Sequence, residues 1–171
     1  MPDKPTKPLI EDVINEVLTG EAQANALNFV AYLRENKMTP SWFAANAWKV
    51  TFRSFTVCFI RLHGTAHYHN LGAGEWHIVP FIGEYDGDAL AEEYKEIAWA
   101  NKRTCTACGQ CALKLDTVFG KKYDYACEGA ILFINPNAEA VECAKKLVEL
   151  RREAVKAGIA KKHVYVPMKD R

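Results

Sequence analysis

The fold is decided by residues 48–62, which read Trp48-Lys-Val-Thr-Phe-Arg-Ser-Phe-Thr-Val-Cys-Phe-Ile-Arg-Leu62. Apolar and polar residues alternate from Trp48 to Arg53, which predicts a strand with one buried face. Residues 56–62 are apolar on both faces and predict a central strand. The dipeptide Ser54-Phe55 is the expected tight turn between the two strands. The stretch therefore predicts an antiparallel hairpin at the centre of a sheet.

Further secondary structure is expected on both sides of this hairpin. Gly20 is expected to end the first helix and Asp88 to cap the third, while Pro80 predicts a strand that ends early or lies at an edge. Helices are predicted at about 9–18, 21–36, 88–101 and 135–156, and further strands at about 75–82 and 130–134. Strands and helices are partly segregated, which predicts an α+β fold with an antiparallel sheet of about four strands and helices packed on it.

The length of 171 residues and the hydrophobic content of 49% are enough for one domain with a full core. We expect a flexible N-terminal arm at residues 1–8, a single α+β domain at 9–158 and a basic C-terminal tail at 159–171. A cysteine-rich metal-binding loop is expected inside the domain, at about 101–130.

The hydropathy of the chain and its first eight residues indicate the cellular compartment. The longest apolar runs have the length of strands, so no membrane partner is expected. The start, Met1-Pro-Asp-Lys-Pro-Thr-Lys-Pro8, is polar and lacks the apolar centre of a secretory signal. We therefore expect a cytoplasmic protein, and in that compartment clustered cysteines are more often metal ligands or redox thiols than disulfides.

Charge is distributed unevenly along the chain. Residues 1–100 carry 8 Lys/Arg and 13 Asp/Glu, a balance of −5, whereas residues 101–171 carry 14 and 8, a balance of +6. A basic half attracts nucleic acid or acidic partners in some proteins. No nucleic-acid reading motif accompanies the charge, so a solvated helix and tail are the favoured interpretation and nucleic acid is an unlikely partner.

The sequence Cys105-Thr-Ala-Cys108-Gly-Gln-Cys111 predicts a metal site. Two residues between cysteines let both thiolates face one ion, and Gly109 suits the tight backbone turn between them. A tetrahedral site needs a fourth ligand, and Cys127 is the natural candidate. We therefore predict a structural zinc site with four cysteine ligands.

Two alternatives for this cluster remain open. The spacing is similar to the opening of a bacterial ferredoxin motif, which favours an iron–sulfur cluster, although Lys114 begins the segment where the fourth cysteine is expected. Cys-x-x-Cys pairs also have lowered thiol pKa values in many proteins, and Lys102 and Arg103 nearby favour a redox thiol relay.

The remaining cysteines and the histidines carry weaker signals. Cys58 and Cys143 lie among apolar residues and are interpreted as packing residues. His67 and His69 share one face of an extended chain and, with Trp76, form an alternative site for a ligand or second metal. Incidental histidines on a solvated hairpin are the favoured interpretation of this stretch.

Several further motifs lie between residues 94 and 152. They are Glu96-Ile-Ala-Trp99, the cysteine cluster with Cys127, Val118-Phe-Gly-Lys-Lys-Tyr-Asp124, and Asn135-Pro-Asn-Ala-Glu-Ala-Val-Glu-Cys-Ala-Lys-Lys-Leu147. By these features, residues 94–152 resemble a group of small uncharacterised bacterial proteins, chiefly from Firmicutes, that share a cysteine motif. The resemblance supports Cys127 as a companion of the cluster and implies no catalytic residue. The overall layout is similar to frataxin-like or YdhG-like α+β domains, which implies a fold and no function.

These observations lead to three functional hypotheses. The first is a zinc-binding module that binds or senses a small molecule or protein partner on an apolar face with Trp48, Phe52 and Trp76. The second is a redox or metal-dependent enzyme that uses the cysteine cluster. The third is a nucleic-acid-associated module.

Overall fold

The computed structural model describes residues 7–65, 70–83, 89–103, 115–126 and 129–162. The described elements comprise the helices α1 (Ile10–Val17), α2 (Gly20–Glu35), α3 (Glu92–Ala100) and α4 (Ala138–Lys156), and the strands β1 (Thr39–Ala44), β2 (Ala47–Phe52), β3 (Phe55–Thr65), β4 (Asn70–Pro80), β5 (Leu115–Val118), β6 (Lys121–Ala126) and β7 (Phe133–Ile134).

The main sheet has five strands in the order β1-β2-β3-β4-β7, and every neighbouring pair is antiparallel. The predicted α+β fold with an antiparallel sheet and packed helices is therefore confirmed, and β3 is the central strand. The expected number of about four strands was too low because β1 was not predicted. Five of its six residues are exposed, and an edge strand of that kind lacks the alternation that identifies a strand in a sequence.

The turn between β2 and β3 lies one residue earlier than predicted. Phe52 pairs with Phe55, so Arg53 and Ser54 form the turn instead of Ser54-Phe55. Both have positive φ, 47° and 66°, which is the backbone conformation of a two-residue hairpin turn. The usual glycine or asparagine is absent, so no local residue signal marked the position.

Helix α4 ends at Lys156 as predicted, but it begins at Ala138, three residues after the predicted start at Asn135. Its cap is Asn137, whose side chain accepts a hydrogen bond from Ala140 N at 2.9 Å, and Gly158 follows the helix with φ 74°. Two predicted helix ends elsewhere differ from the structure. Gly20 is the first residue of α2 and not the stop of α1. Ala91 is the N-cap residue of α3, so the prediction of Asp88 as its cap was wrong.

One hydrophobic core joins the helices to one face of the sheet. Helices α1, α2 and α4 contact β3 or β4. Their apolar side chains form a single buried cluster with Trp48, Ile60 and Trp76. We call the sheet face that bears these three residues the inner face and the opposite one the outer face.

Arg151 is a fully buried cation in α4 that the sequence did not single out. Its guanidinium donates to the carbonyl oxygen of Thr56 at 3.4 Å and to that of Lys161 at 2.8 Å. The side chain therefore joins α4 to the start of β3 and to the segment after the helix.

Candidate functional site

The chain around the predicted cysteine loop is closed at its base by backbone hydrogen bonds. Arg103 N donates to Ala130 O at 2.7 Å, and Leu132 N donates to Asn101 O at 2.9 Å. Lys102 pairs with Ile131 between them. We call these paired segments, 101–103 and 130–132, the clasp. It fixes where the chain leaves the domain and where it returns.

Between the two halves of the clasp the chain forms the hairpin β5–β6. Leu115 pairs with Ala126, and Val118 pairs with Lys121. Phe119 and Gly120 form the turn, with φ 49° and 80°. The prediction of a cysteine loop over about 101–130 was therefore wrong in part, because residues 115–126 form a hairpin.

The turn of this hairpin is anchored to the body of the protein. Val118 and Phe119 belong to the hydrophobic core. Lys121 Nζ lies 3.2 Å from Glu96 Oε1 and 5.0 Å from the centre of the Trp99 ring. Lys102 Nζ of the clasp lies 4.9 Å from the same ring. Cation–π contacts and apolar burial thus hold both the clasp and the hairpin turn against α3.

The predicted metal ligands Cys105, Cys108, Cys111 and Cys127 lie outside the described residues, as do His67 and His69. In the part of the chain that the structure describes, no group of three or more His, Cys, Asp or Glu side chains is arranged to hold a metal ion. The zinc and iron–sulfur hypotheses therefore remain predictions.

The four predicted cysteine ligands lie close in the sequence to described elements. Cys105 follows Arg103 of the clasp by two residues, and Cys127 precedes Gly129 by two. Cys127 also follows Ala126 directly, and Ala126 pairs with Leu115, the fourth residue after Cys111. All four cysteines therefore belong to the two short segments that connect the clasp to the hairpin.

Cys58 and Cys143 are buried, free cysteines, which confirms their interpretation as packing residues. Cys143 Sγ donates to Tyr94 O at 3.4 Å, and burial raises the pKa of its thiol to about 12. Burial also raises the pKa of Cys58 far above its usual value. Both thiols are therefore protonated and unreactive in the native protein.

Trp76 occupies a core position and not an open pocket. Its side chain is 0% exposed, and Trp48 and Phe52 are buried with it. The expected receptive apolar face with these three residues was therefore wrong, because the helices cover it. Within the described residues, the Trp76 indole nitrogen has no hydrogen-bond partner. Its backbone exchanges hydrogen bonds with Asn135, of 2.9 Å and 2.8 Å.

Two further histidines, His63 and His77, lie in strands β3 and β4 of the sheet. His77 is buried on the outer face, opposite Arg61 on β3 and Ile134 on β7. It therefore lies on the face opposite to Trp76. The Asn46 side chain donates to His63 O at 2.6 Å, where the register between β3 and β4 shifts.

Comparisons with known proteins found no relatives: no family model matches the chain, and neither a curated protein nor a solved structure matches it. The resemblance to small bacterial cysteine-motif proteins stays a prediction. Among the described residues, no helix is long and apolar enough to cross a membrane.

Proposed function

We propose that this protein is a cytoplasmic binding module stabilised by a structural zinc ion. Cys105, Cys108, Cys111 and Cys127 would be the four ligands. The ion would close the segment between the clasp and the hairpin. The binding partner would be a small molecule or a macromolecule, and the cysteines would take no part in a reaction.

The observation that carries this proposal is the closure of the chain around the cysteines. The clasp and the pair Leu115–Ala126 each join a segment before the hairpin to one after it. In the sequence, Cys105 comes two residues after the first half of the clasp and Cys127 three residues before the second half, and each residue of extended chain spans at most about 3.6 Å. This supports Cys127 as the fourth ligand, although sixteen positions separate it from Cys111.

The chemistry of the donor set also supports zinc. Four thiolates form the closed tetrahedral site that structural zinc prefers, and together with Zn²⁺ they carry a charge of −2. Lys102 and Arg103 lie within three residues of Cys105. Neighbouring cations favour the thiolate form, which is the form that binds metal.

The test combines metal analysis with thiol counting on full-length protein purified without added metal. We expect one zinc per chain and, with zinc bound, four protected ligand thiols. Chelation should expose four of the six cysteines. The buried thiols of Cys58 and Cys143 should react only after unfolding. C127S should lower zinc content, whereas the matched control C143A, in a core position, should keep it.

Three results would contradict the proposal. Bound iron with a visible absorption band would indicate an iron–sulfur cluster. Reversible oxidation of the thiols in metal-free protein would indicate a redox relay. A protein that holds no metal and whose stability is unchanged by a chelator would exclude a structural metal.

A further inference from the structure

Three phenylalanine rings form a row on the outer face of the sheet. The ring centres of Phe43 and Phe59 are 5.6 Å apart, and those of Phe59 and Phe81 are 5.7 Å apart. Phe43 is 50% exposed, Phe59 is half-buried and Phe81 is buried. None of the three belongs to the hydrophobic core under the helices. We call this group the outer aromatic row.

The exposed end of the row is produced by a β-bulge. The pairing of β1 with β2 shifts between Trp42 and Ala44, which leaves Phe43 without a register partner. Strands two places apart are separated by about 10 Å. The Phe43 side chain therefore leans across β2 to reach Phe59. Bulges commonly redirect one side chain in this way, and they are frequent next to functional sites.

A lysine lies beside the two more accessible rings of the row. Lys49 on β2 is the register partner of Phe59 on β3, and its Nζ lies 5.9 Å from the centre of the Phe43 ring. No ion pair to Lys49 is found among the described residues. The outer face therefore presents two rings in contact and a cation over one of them.

The charge of the strands differs from that of the first helix. Residues 39–80 contain Lys49, Arg53 and Arg61 against one acid, Glu75, which gives +3 − 1 = +2. Helix α1 contains three acids and no Lys or Arg, which gives −3. Arg61 is half-buried and lies two positions from Phe59 on the same strand face. Lys49 and Arg61 therefore lie on the same face as the row, whereas Arg53 belongs to the turn between β2 and β3.

We propose that the outer aromatic row, with Lys49 and Arg61, binds single-stranded nucleic acid. Unpaired bases would stack on Phe43 and Phe59, and phosphates would contact the two cations. Aromatic rings stack with any base, and basic side chains follow the backbone. The proposal goes beyond the zinc module and does not depend on bound metal.

A second copy of the chain fits this surface less well. Strand β1 forms the edge of the sheet, but it contains Pro40 and the bulge at Phe43. Proline and bulges are two features that prevent an edge strand from pairing with another strand. An aromatic face that carries Lys49 and has an obstructed edge favours an anionic ligand.

The test is fluorescence anisotropy with labelled oligouridylate and oligodeoxythymidylate of roughly 15 nucleotides, on the full-length protein at several salt concentrations. F43A should weaken binding by about 5- to 100-fold, because it removes one stacked base. K49Q should weaken binding and reduce the salt slope by about 0.7, because it removes one phosphate contact. The oligomer that binds more tightly identifies RNA or DNA as the ligand.

Two matched controls lie far from the row in sequence. I159A truncates another exposed apolar side chain, 55% exposed. K162Q removes another lysine that lies over a phenylalanine, 5.4 Å from the Phe55 ring centre. Both should bind as the wild type does, and circular dichroism should show all four variants folded.

Several outcomes would overturn the proposal. One such outcome is that neither oligomer binds the protein at low salt. Another is that F43A and I159A lose equal amounts of affinity. An unchanged salt slope in K49Q would exclude the phosphate contact. A protein that binds no oligomer but forms a dimer that F43A dissociates would make the row an interface between copies.

Discussion

The two faces of the five-stranded sheet carry different residues and meet different surroundings. The inner face bears Trp48, Ile60 and Trp76, each at most 1% exposed under the helices. The outer face bears an aromatic row that ends in the half-exposed Phe43, with Lys49 above it. Large aromatic side chains occur on both faces, so residue type alone does not distinguish a core from a surface. The covering elements make the difference.

The largest expected effect comes from truncating an aromatic side chain on each face. W76A should lower the free energy of unfolding by about 3–5 kcal/mol, because it leaves a large cavity in the core. F43A should lower it by less than about 1 kcal/mol, because half of that ring is already in water. Urea denaturation followed by circular dichroism measures both. Equal losses would contradict the distinction between the faces.

A smaller effect is expected at Asn135, an exposed residue that nevertheless holds the sheet together. Its Oδ1 accepts a hydrogen bond from Trp76 N at 2.9 Å, and its φ is 45°. N135G should lower the free energy of unfolding by about 1–2 kcal/mol, because the hydrogen bond is lost. N135A should lower it by about 1 kcal/mol more, because alanine disfavours positive φ. Thermal or urea unfolding measures the stability of both variants. A protein with N135G that is less stable than one with N135A would contradict the prediction.

The smallest effect concerns the helical hairpin that covers the inner face. The Arg34 guanidinium hydrogen-bonds the Glu11 carboxylate and lowers the pKa of that carboxyl. A lowered folded-state pKa gives stability that is present above the unfolded value, about 4.3, and is lost as the pH falls through the folded value. E11Q should therefore cost about 0.5 kcal/mol at neutral pH and nothing at low pH.

The control for this pair is E16Q, at an exposed acid of the same helix with no ion pair among the described residues. E16Q should leave the free energy of unfolding unchanged at both pH values. High salt should reduce the stability that E11Q loses, because the ion pair is partly exposed. A loss in E11Q that persists at low pH would mean that the side chain acts through packing.

Local patterns predicted most of the helices and the central hairpin. The alternation from Trp48 to Arg53 depends on neighbours in the sequence, and the strand that it predicts was confirmed. Strand β1 was missed because its six residues are held by pairing with β2 and not by burial. The hairpin β5–β6 was missed because the four residues of β5, Leu115–Val118, do not alternate between apolar and polar.

The two candidate sites differ in how much of each could be predicted from the sequence. The four cysteines were identified from spacing alone, since metal ligands of one type close together form a local signal. The aromatic row gave no such signal. Phe43, Phe59 and Phe81 are separated by sixteen or more positions in the sequence, and only strand pairing and a bulge bring them together.

The sequence by itself determined the α+β class, the C-terminal end of α4 and the burial of Cys58 and Cys143. These follow from periodicity, capping and local hydrophobicity, which act over a few residues. Only the tertiary structure decided that Trp76 lies in the core, that 101–103 pair with 130–132, and that the sheet has an aromatic outer face. These depend on contacts between distant segments and on which face the helices cover, and no local pattern contains that information.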